Sequence, residues 1–118
     1  MNLKNRSVEF LAFNSGILKI YNTDDEGEII NGSYKQYRYG DRTIGVKRYF
    51  SARQNDIELD KVVHIHQNIS LRTDDAVVIN GTRFKIEQIQ HLYDTNPKCT
   101  VLSLRQRGIY EGAENELF

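Results

Sequence analysis

The sequence predicts an all-β protein, built as a small β-barrel or a two-layer sandwich of about six to seven strands with one short helix and long loops. Three observations lead to this fold class. The dipeptide Asn80-Gly81 separates two runs that are typical of strands. Most other apolar runs are short and end at Gly, Asn or Asp. One stretch, residues 47–55, has helical spacing and accounts for the one predicted helix: Phe50 lies four residues before Gln54.

Residues 75–91 are predicted to form a β-hairpin. Residues 77–79 are β-branched, and after the turn Phe84 and Ile86 alternate with charged side chains, as in a half-buried strand. Asn-Gly supplies the two positive φ angles that a type I′ turn needs. This hairpin identifies β structure and does not by itself identify a function.

The first half of the chain is predicted to contain short strands and one long loop. The apolar run of residues 7–13 indicates a strand, and residues 17–21 continue it, either as its hairpin partner or as the same strand after a bulge at Gly16. The later elements are an acidic loop or mobile hairpin tip at 22–33, a polar tyrosine-containing run ending in a turn at Gly40-Asp41-Arg42, and a short strand at 43–46.

The second half adds a helix and three further strand segments. Residues 47–55 are predicted to form one or two helical turns, and residues 56–66 a long strand. The connector at 67–74 leads to the hairpin, which is followed by a proline-containing loop at 93–98 and a last strand at 99–104. On that strand, Val101, Ser103 and Arg105 are expected on one face and Thr100, Leu102 and Leu104 on the other.

The 118 residues fit one domain, which we place at residues 1–106, followed by a tail at 107–118 that we expect to be mobile. Sixteen basic and sixteen acidic residues cancel, so global charge gives no reason to expect nucleic-acid or membrane-surface binding. Cys99 is the only cysteine, which excludes an intramolecular disulfide and fits a reducing compartment. No run approaches the ~20 apolar residues of a membrane span, and we expect a soluble protein that is not secreted.

No pattern in the sequence predicts catalysis, a metal or a cofactor. His64 and His66 would share one face of a strand, but sequence places no third and fourth ligand, so we interpret them as a surface-facing pair. The acidic stretch at 24–28 lacks the ligand spacing of a calcium loop. Cys99 has no nucleophile motif around it and is expected to be buried or half-buried. We therefore expect no enzyme and no cofactor.

Two charged segments are the candidate contact surfaces. Residues 35–53 hold six basic side chains against one acid, Asp41, with aromatic residues between them, a composition that suits either nucleic acid or an acidic protein partner. The acidic stretch at 24–28 lies a loop away, so one subunit's acidic loop could meet the next subunit's basic segment in a ring. Neutral overall charge favours assembly over nucleic-acid binding. The candidate contacts are Asp24, Asp25, Glu26, Glu28, Arg38, Arg42, Lys47, Arg48 and Arg53.

Three segments resemble a family of tailed-bacteriophage head-tail joining proteins, the head-closure or stopper proteins. Arg48-Tyr49-Phe50-Ser51-Ala52 is similar to the family's charged, aromatic, aromatic, x, Ala segment. Val62-Val63-His64-Ile65-His66 is similar to the strand that follows it, with His66 where the family commonly has arginine. The hairpin from Asp75 to Ile86 resembles the family's aspartate, aliphatic run, turn, aromatic and Ile pattern. The resemblance covers roughly residues 43–105 and concerns structural motifs.

The resemblance implies a small β-barrel that assembles as a ring below the portal and adaptor of a phage, retains packaged DNA and offers a docking surface to the tail. The implied partners are other copies of the chain, the portal or adaptor protein, the tail protein and DNA in the channel without sequence-specific binding, with no membrane. The implied location is the virion, assembled in the cytoplasm of the host bacterium. The alternatives are a tail-completion or adaptor protein of the same connector, or a small nucleic-acid-binding β-barrel.

Overall fold

The computed structural model describes residues 9–42 and 60–110, and the described part is built from strands and loops. The strands are β1 (Glu9–Phe10), β2 (Gly16–Tyr21), β3 (Lys35–Arg42), β4 (Lys61–His66), β5 (Ala76–Ile79), β6 (Thr82–Leu92), β7 (Thr95–Asn96) and β8 (Cys99–Ile109). Strands β2-β3-β4-β8-β6-β5 form a closed antiparallel barrel in that order, and β1 pairs with β7 in a separate parallel ladder. The all-β prediction is confirmed, and the barrel is adopted rather than the sandwich.

The predicted hairpin is present as β5 and β6. Asn80 and Gly81 connect the two strands with φ angles of 51° and 82°. Both angles lie in the left-handed region, as a type I′ turn requires. The ladder that follows pairs Ile79 with Thr82 and Val77 with Phe84. The predicted turn at Asn80-Gly81 is therefore confirmed, and the structure adds the register of the two strands.

The barrel interior is filled by alternate residues of its strands, because successive side chains point to opposite sides of a sheet. On β8, Leu102 and Leu104 belong to the central cluster while Val101 packs outside it, as the alternation predicts. The central cluster consists of Leu18, Ile20, Tyr39, Val63, Ile65, Val77, Ile79, Phe84, Ile86, Leu102 and Leu104.

Two smaller apolar clusters lie on the outside of the barrel. In one, Ile29, Tyr34 and Tyr110 pack against buried residues of β2 and β5. In the other, Leu11 and Leu92 pack against Val62, Cys99 and Val101. Cys99 is fully buried there, in agreement with the expectation. Chain segments outside the barrel thus cover parts of its outer wall.

The first strand is not the partner of β2, nor one strand with it. Glu9 and Phe10 pair instead with Thr95 and Asn96, in the loop between β6 and β8. The N–H of Leu11 also donates to the carbonyl of Asn96 over 3.0 Å. This pairing joins residues far apart in sequence, and local alternation gives no sign of it.

The turn predicted at Gly40-Asp41-Arg42 is wrong, because these residues are the end of β3. They pair with β4, where Gly40 stands opposite His64 and Arg42 opposite Val62. A Cβ atom at position 40 would overlap the carbonyl of Ala12 and the imidazole of His64. Glycine is therefore needed here for close packing, and the sequence pattern had suggested a turn instead.

The last strand is longer than predicted and runs to Ile109. The N–H of Tyr110 then donates to Gly81 over 2.8 Å. The division at residue 106 thus falls inside β8, and residues 107–109 belong to the barrel. The strand predicted at 43–46, the helix at 47–55, the first part of the 56–66 strand and the end of the tail lie outside the described residues. Within residues 9–42 and 60–110, no helix is long and apolar enough to cross a membrane.

Candidate interaction surfaces

The acidic stretch forms an ordered turn between β2 and β3, which we call the acidic turn (residues 24–28). The carboxylate of Asp24 accepts hydrogen bonds from the N–H groups of Glu26 and Glu28, each over 2.9 Å. The N–H of Asp24 donates to the carbonyl of Glu28 over 2.9 Å. Asp24 therefore closes the turn on itself, and the side chains of Asp25, Glu26 and Glu28 are left exposed.

The acidic turn is attached to the outer wall of its own barrel. Ile29 packs into the cluster of Tyr21, Ala76 and Val78. The guanidinium of Arg83, on β6, donates to the carbonyl of Gly27 over 2.8 Å. These contacts fold the connection back over β5 and β6, so the acidic turn is held in place on the β6 side of the molecule.

A cleft of about 770 Å³ lies between the acidic turn, residues 72–76 and the outer side of β6. The residues that line the cleft carry both negative and positive charges, and no pattern in the sequence predicts that they lie together. Arg83 and Lys85 alternate with apolar residues along β6, which indicates that both side chains point outwards. No local sequence pattern indicates that the acidic turn lies opposite them. The lining contains the acidic residues Asp24, Asp25, Glu26, Glu28, Asp74 and Asp75 and the basic residues Arg72, Arg83, Lys85 and Arg107.

The charges of this cleft are only partly paired. Arg72 pairs with Asp74 over 3.3 Å, and Lys85 with Glu87 over 3.6 Å. Within residues 9–42 and 60–110, no ion pair involves a side chain of the acidic turn. The acidic turn is therefore a fixed, exposed group of carboxylates that forms no ion pair within the described residues.

The predicted basic contacts differ from one another in their surroundings. Arg38 is exposed on β3 and stands opposite Ile17, which is itself 55% exposed. Arg42 instead contacts residues of its own chain. Its guanidinium lies 3.4 Å from the carboxylate of Glu9 and 3.3 Å from Nδ1 of His64. Of the two, only Arg38 is exposed.

Lys47, Arg48 and Arg53 complete the predicted basic set. All three lie outside the described residues, in the stretch between Arg42 and Asp60.

The acidic turn and Arg38 lie on different parts of the barrel wall, because Ile29 beside the turn packs on β2 and β5 and Arg83 of β6 bonds to the turn. The closed strand order places β3 three strands away from β6 in either direction. Arg38 belongs to β3, and the acidic turn is bonded to Arg83 of β6. Each subunit thus has an acidic side and a side with an exposed arginine.

The histidine pair packs with the N-terminal segment. His64 and His66 do face the same way, since both contact the ring of Phe13, with centroid distances of 5.0 Å and 4.2 Å. His64 is buried, however, so the interpretation as a surface-facing pair is wrong for this residue. Among the residues that the structure describes, no group of three or more His, Cys, Asp or Glu side chains is arranged to hold a metal ion.

Comparison with known proteins adds no family assignment to this geometry. No family model matches the chain, and no curated protein matches it either. The resemblance to head-closure proteins therefore stays an expectation.

Proposed function

We propose that the chain is a structural subunit of a homo-oligomeric ring, the head-closure component of a phage head-tail connector. The observation that supports a ring is the placement of the acidic turn over β5 and β6, away from Arg38 on β3. A head-to-tail ring needs two different and complementary surfaces on two sides of each subunit. Contact of one subunit's acidic turn with the next subunit's Arg38 would repeat around such a ring.

Exposed apolar side chains beside both charged surfaces support the same arrangement. Ile17 pairs with Arg38 across the β2–β3 ladder and is 55% exposed. Ile30 follows the acidic turn by two residues and is 44% exposed. Protein interfaces typically combine an apolar centre with a polar rim. An isoleucine next to each charged surface provides that combination on both sides of the subunit.

The fixed geometry of the acidic turn also favours binding. Its backbone is held by Asp24, and Arg83 bonds it to the barrel. A surface that is already ordered loses less conformational entropy when a partner docks. Exposed ion pairs contribute only about 0.2–1 kcal/mol each, so a single subunit contact would be weak and the closed ring would depend on many such contacts.

In the connector, the ring would lie below the portal or adaptor, retain packaged DNA and dock the tail. These partners come from the sequence resemblance, and the barrel with its anchored hairpin is compatible with them. The proposed role is mechanical and needs no bound cofactor. It places the protein in the virion, after assembly in the host bacterial cytoplasm.

Charge reversal tests the ring contact directly. Mass would be measured by light scattering and ring formation by electron microscopy, at rising protein concentration and low salt. Asp25→Lys and Arg38→Glu should each reduce assembly, because each places like charges across every contact. The double variant Asp25→Lys/Arg38→Glu should recover assembly. Asp94→Lys, in the loop between β6 and β8, is the matched control and should assemble like the wild type.

Particle assembly tests the biological role. Phage particles that lack the chain should lose packaged DNA or fail to join tails, and a deletion that yields DNA-filled, tailed particles would contradict the proposal. Co-purification with the tail tube instead of the portal or adaptor would assign the chain to tail completion. Micromolar binding of single-stranded DNA at moderate salt that is lost in Arg38→Ala would favour the nucleic-acid alternative.

A further inference from the structure

The sequence contains two Asn-Gly dipeptides, and the fold places them in different turns. Asn80 and Gly81 form the type I′ loop between β5 and β6, where both residues have positive φ. Asn31 and Gly32 are the central residues of a second turn, which the N–H of Ser33 closes by donating over 3.2 Å to the carbonyl of the residue before them. Gly32 has a φ of 80° while Asn31 lacks a positive φ, which is the pattern of a type II turn.

Asparagine is a chemically labile residue, and a glycine after it leaves the following N–H unshielded by any side chain. The glycine N attacks Cγ of the asparagine, a bond forms between these two atoms, and Nδ2 leaves as ammonia with the proton of the N–H. The cyclic imide, a succinimide, then takes up water, which opens the ring at one of its two carbonyls. Opening at Cγ leaves aspartate. Opening at the main-chain carbonyl leaves isoaspartate, in which the backbone continues through Cγ.

The reacting groups at Asn80 are free. Its side chain is exposed. Within residues 9–42 and 60–110, neither its carboxamide nor the N–H of Gly81 has a hydrogen-bond partner. The bond that ties this loop to the end of β8 runs from the N–H of Tyr110 to the carbonyl of Gly81, an atom that takes no part in ring closure. Ring closure at Asn80 therefore needs no hydrogen bond to be broken first at either reacting group.

The backbone of Asn80 also suits the ring. A succinimide fixes ψ of its residue near the value found at the first central position of a type II′ turn, where φ is positive. Asn80 already has a φ of 51°. Type II′ is the other common two-residue hairpin loop, so a flip of the peptide unit between Asn80 and Gly81 converts the observed turn into the one that the ring needs. The strands β5 and β6 stay paired on either side of it.

Asn31 lacks both of these features. Its side-chain oxygen accepts a hydrogen bond from the hydroxyl of Tyr110, which fixes the carboxamide. Its turn is of type II, in which ψ of the first central residue has the opposite sign to the one that the ring imposes. The fold therefore holds back the reaction at Asn31 and leaves it open at Asn80.

We propose that Asn80 is a site of spontaneous deamidation, at which the folded protein converts into aspartate and isoaspartate forms. The aspartate form keeps the loop, because Asp-Gly also favours a type I′ turn, and it adds a negative charge. The isoaspartate form inserts a methylene group into the backbone of a two-residue loop and weakens the hydrogen bond from Tyr110 to Gly81. The modification thus acts on the end of β8, and it does not depend on the proposed ring.

Mass spectrometry of the whole protein, digested after incubation in warm, mildly alkaline buffer, tests the proposal. Water enriched in heavy oxygen marks each carboxylate that forms during incubation, and digestion in ordinary water leaves later products unmarked. In the folded wild type, Asn80 should convert roughly fivefold faster than Asn31 or more, the rate equivalent of the hydrogen bond that holds Asn31. In denaturant, where the turns and this hydrogen bond are lost, the two rates should become similar.

Tyr110→Phe is the matched variant, because it removes the hydroxyl that holds Asn31 and keeps both the ring and the backbone N–H. Asn31 should react roughly fivefold faster in this variant, while Asn80 reacts at the wild-type rate. The proposal would be overturned if Asn80 of the folded wild type stayed unmodified, or reacted no faster than Asn31. An unchanged ratio of the two rates in denaturant would overturn it as well, since the sequence and not the fold would then set the difference.

Discussion

The imidazole of His64 occupies the space that a side chain at position 40 would need. Gly40 and His64 stand opposite each other in the β3–β4 ladder. A Cβ atom at position 40 would overlap Nε2 and Cε1 of that ring, and also the carbonyl of Ala12. One glycine thus allows β3, the histidine of β4 and the backbone of Ala12 to come together.

Gly40→Ala should therefore destabilise the protein. The added methyl group must displace the His64 ring or the backbone at Ala12, and overpacking of this kind costs about 1–3 kcal/mol. Chemical denaturation would measure the free energy of unfolding. Gln36→Ala, at an exposed position on the same strand, should change it by no more than about 0.5 kcal/mol. Equal stabilities for the two variants would show that the site relaxes freely.

The turn between β5 and β6 gives a second prediction, based on backbone conformation. Gly81 has a φ of 82°, and nothing lies near the position of an added Cβ atom. Gly81→Ala should therefore lower stability through conformational strain alone, by about 1 kcal/mol. Asn80→Gly keeps a residue that accepts positive φ and should be nearly neutral in the same denaturation experiment. A neutral Gly81→Ala would argue against a type I′ turn in solution.

These two glycines show how far the sequence predicts this fold. Gly81 follows Asn80 between alternating apolar runs, so its role is visible within a few residues. Gly40 precedes Asp41 and looks like a turn signal, yet its role depends on His64, which is 24 positions away in the sequence. Local signals predicted the hairpin and the strands on either side of it. Long-range packing decided where β3 ends.

The candidate surfaces show the same difference between local sequence signals and long-range contacts. Composition alone identified the acidic turn and Arg38 as charged and exposed. The bond from Arg83 to Gly27 spans 56 positions and could not be read from either segment. It nevertheless helps to hold the acidic turn over β5 and β6, away from Arg38. Arg42 was predicted to contact a partner, but its guanidinium contacts Glu9 and His64 of the same chain.

The end of β8 gives a third prediction. Tyr110 packs its ring against Tyr21 at a centroid distance of 5.2 Å, and its hydroxyl donates to the side chain of Asn31. Tyr110→Ala should lower the free energy of unfolding by about 2 kcal/mol, since it removes a ring from a half-buried apolar cluster. Tyr110→Phe keeps the ring and should lose less than about 1 kcal/mol. If the alanine variant were as stable as the wild type, β8 would not be fixed beyond its predicted end.

The acidic turn gives a fourth prediction, which separates its order from its charge. Asp24→Ala removes the acceptor of two backbone N–H groups and should destabilise the turn by about 1 kcal/mol. Amide exchange at Glu26 and Glu28 should become faster in this variant. Asp25→Ala removes the same charge from a neighbouring exposed side chain and should leave both amides protected. Loss of protection in both variants would mean that charge, and not the Asp24 hydrogen bonds, orders the turn.

Ser103 gives a prediction in which the substitution stabilises the protein, unlike the substitutions above. Its hydroxyl is buried and has no hydrogen-bond partner in the described part of the chain. A buried polar group without a partner is unfavourable, so Ser103→Ala should raise the free energy of unfolding by about 1 kcal/mol.

Thr100, on the same strand, provides the comparison for Ser103. Its hydroxyl accepts from the N–H of Asn68 over 2.9 Å and contacts Nδ1 of His91 over 2.9 Å. Thr100→Val keeps the side-chain volume but leaves the N–H of Asn68 unsatisfied, so it should lower stability by about 1–2 kcal/mol. Denaturation of both variants under one set of conditions would measure the contrast. Destabilisation by Ser103→Ala would show that its hydroxyl has a partner in solution, and the difference in sign between the two positions would disappear.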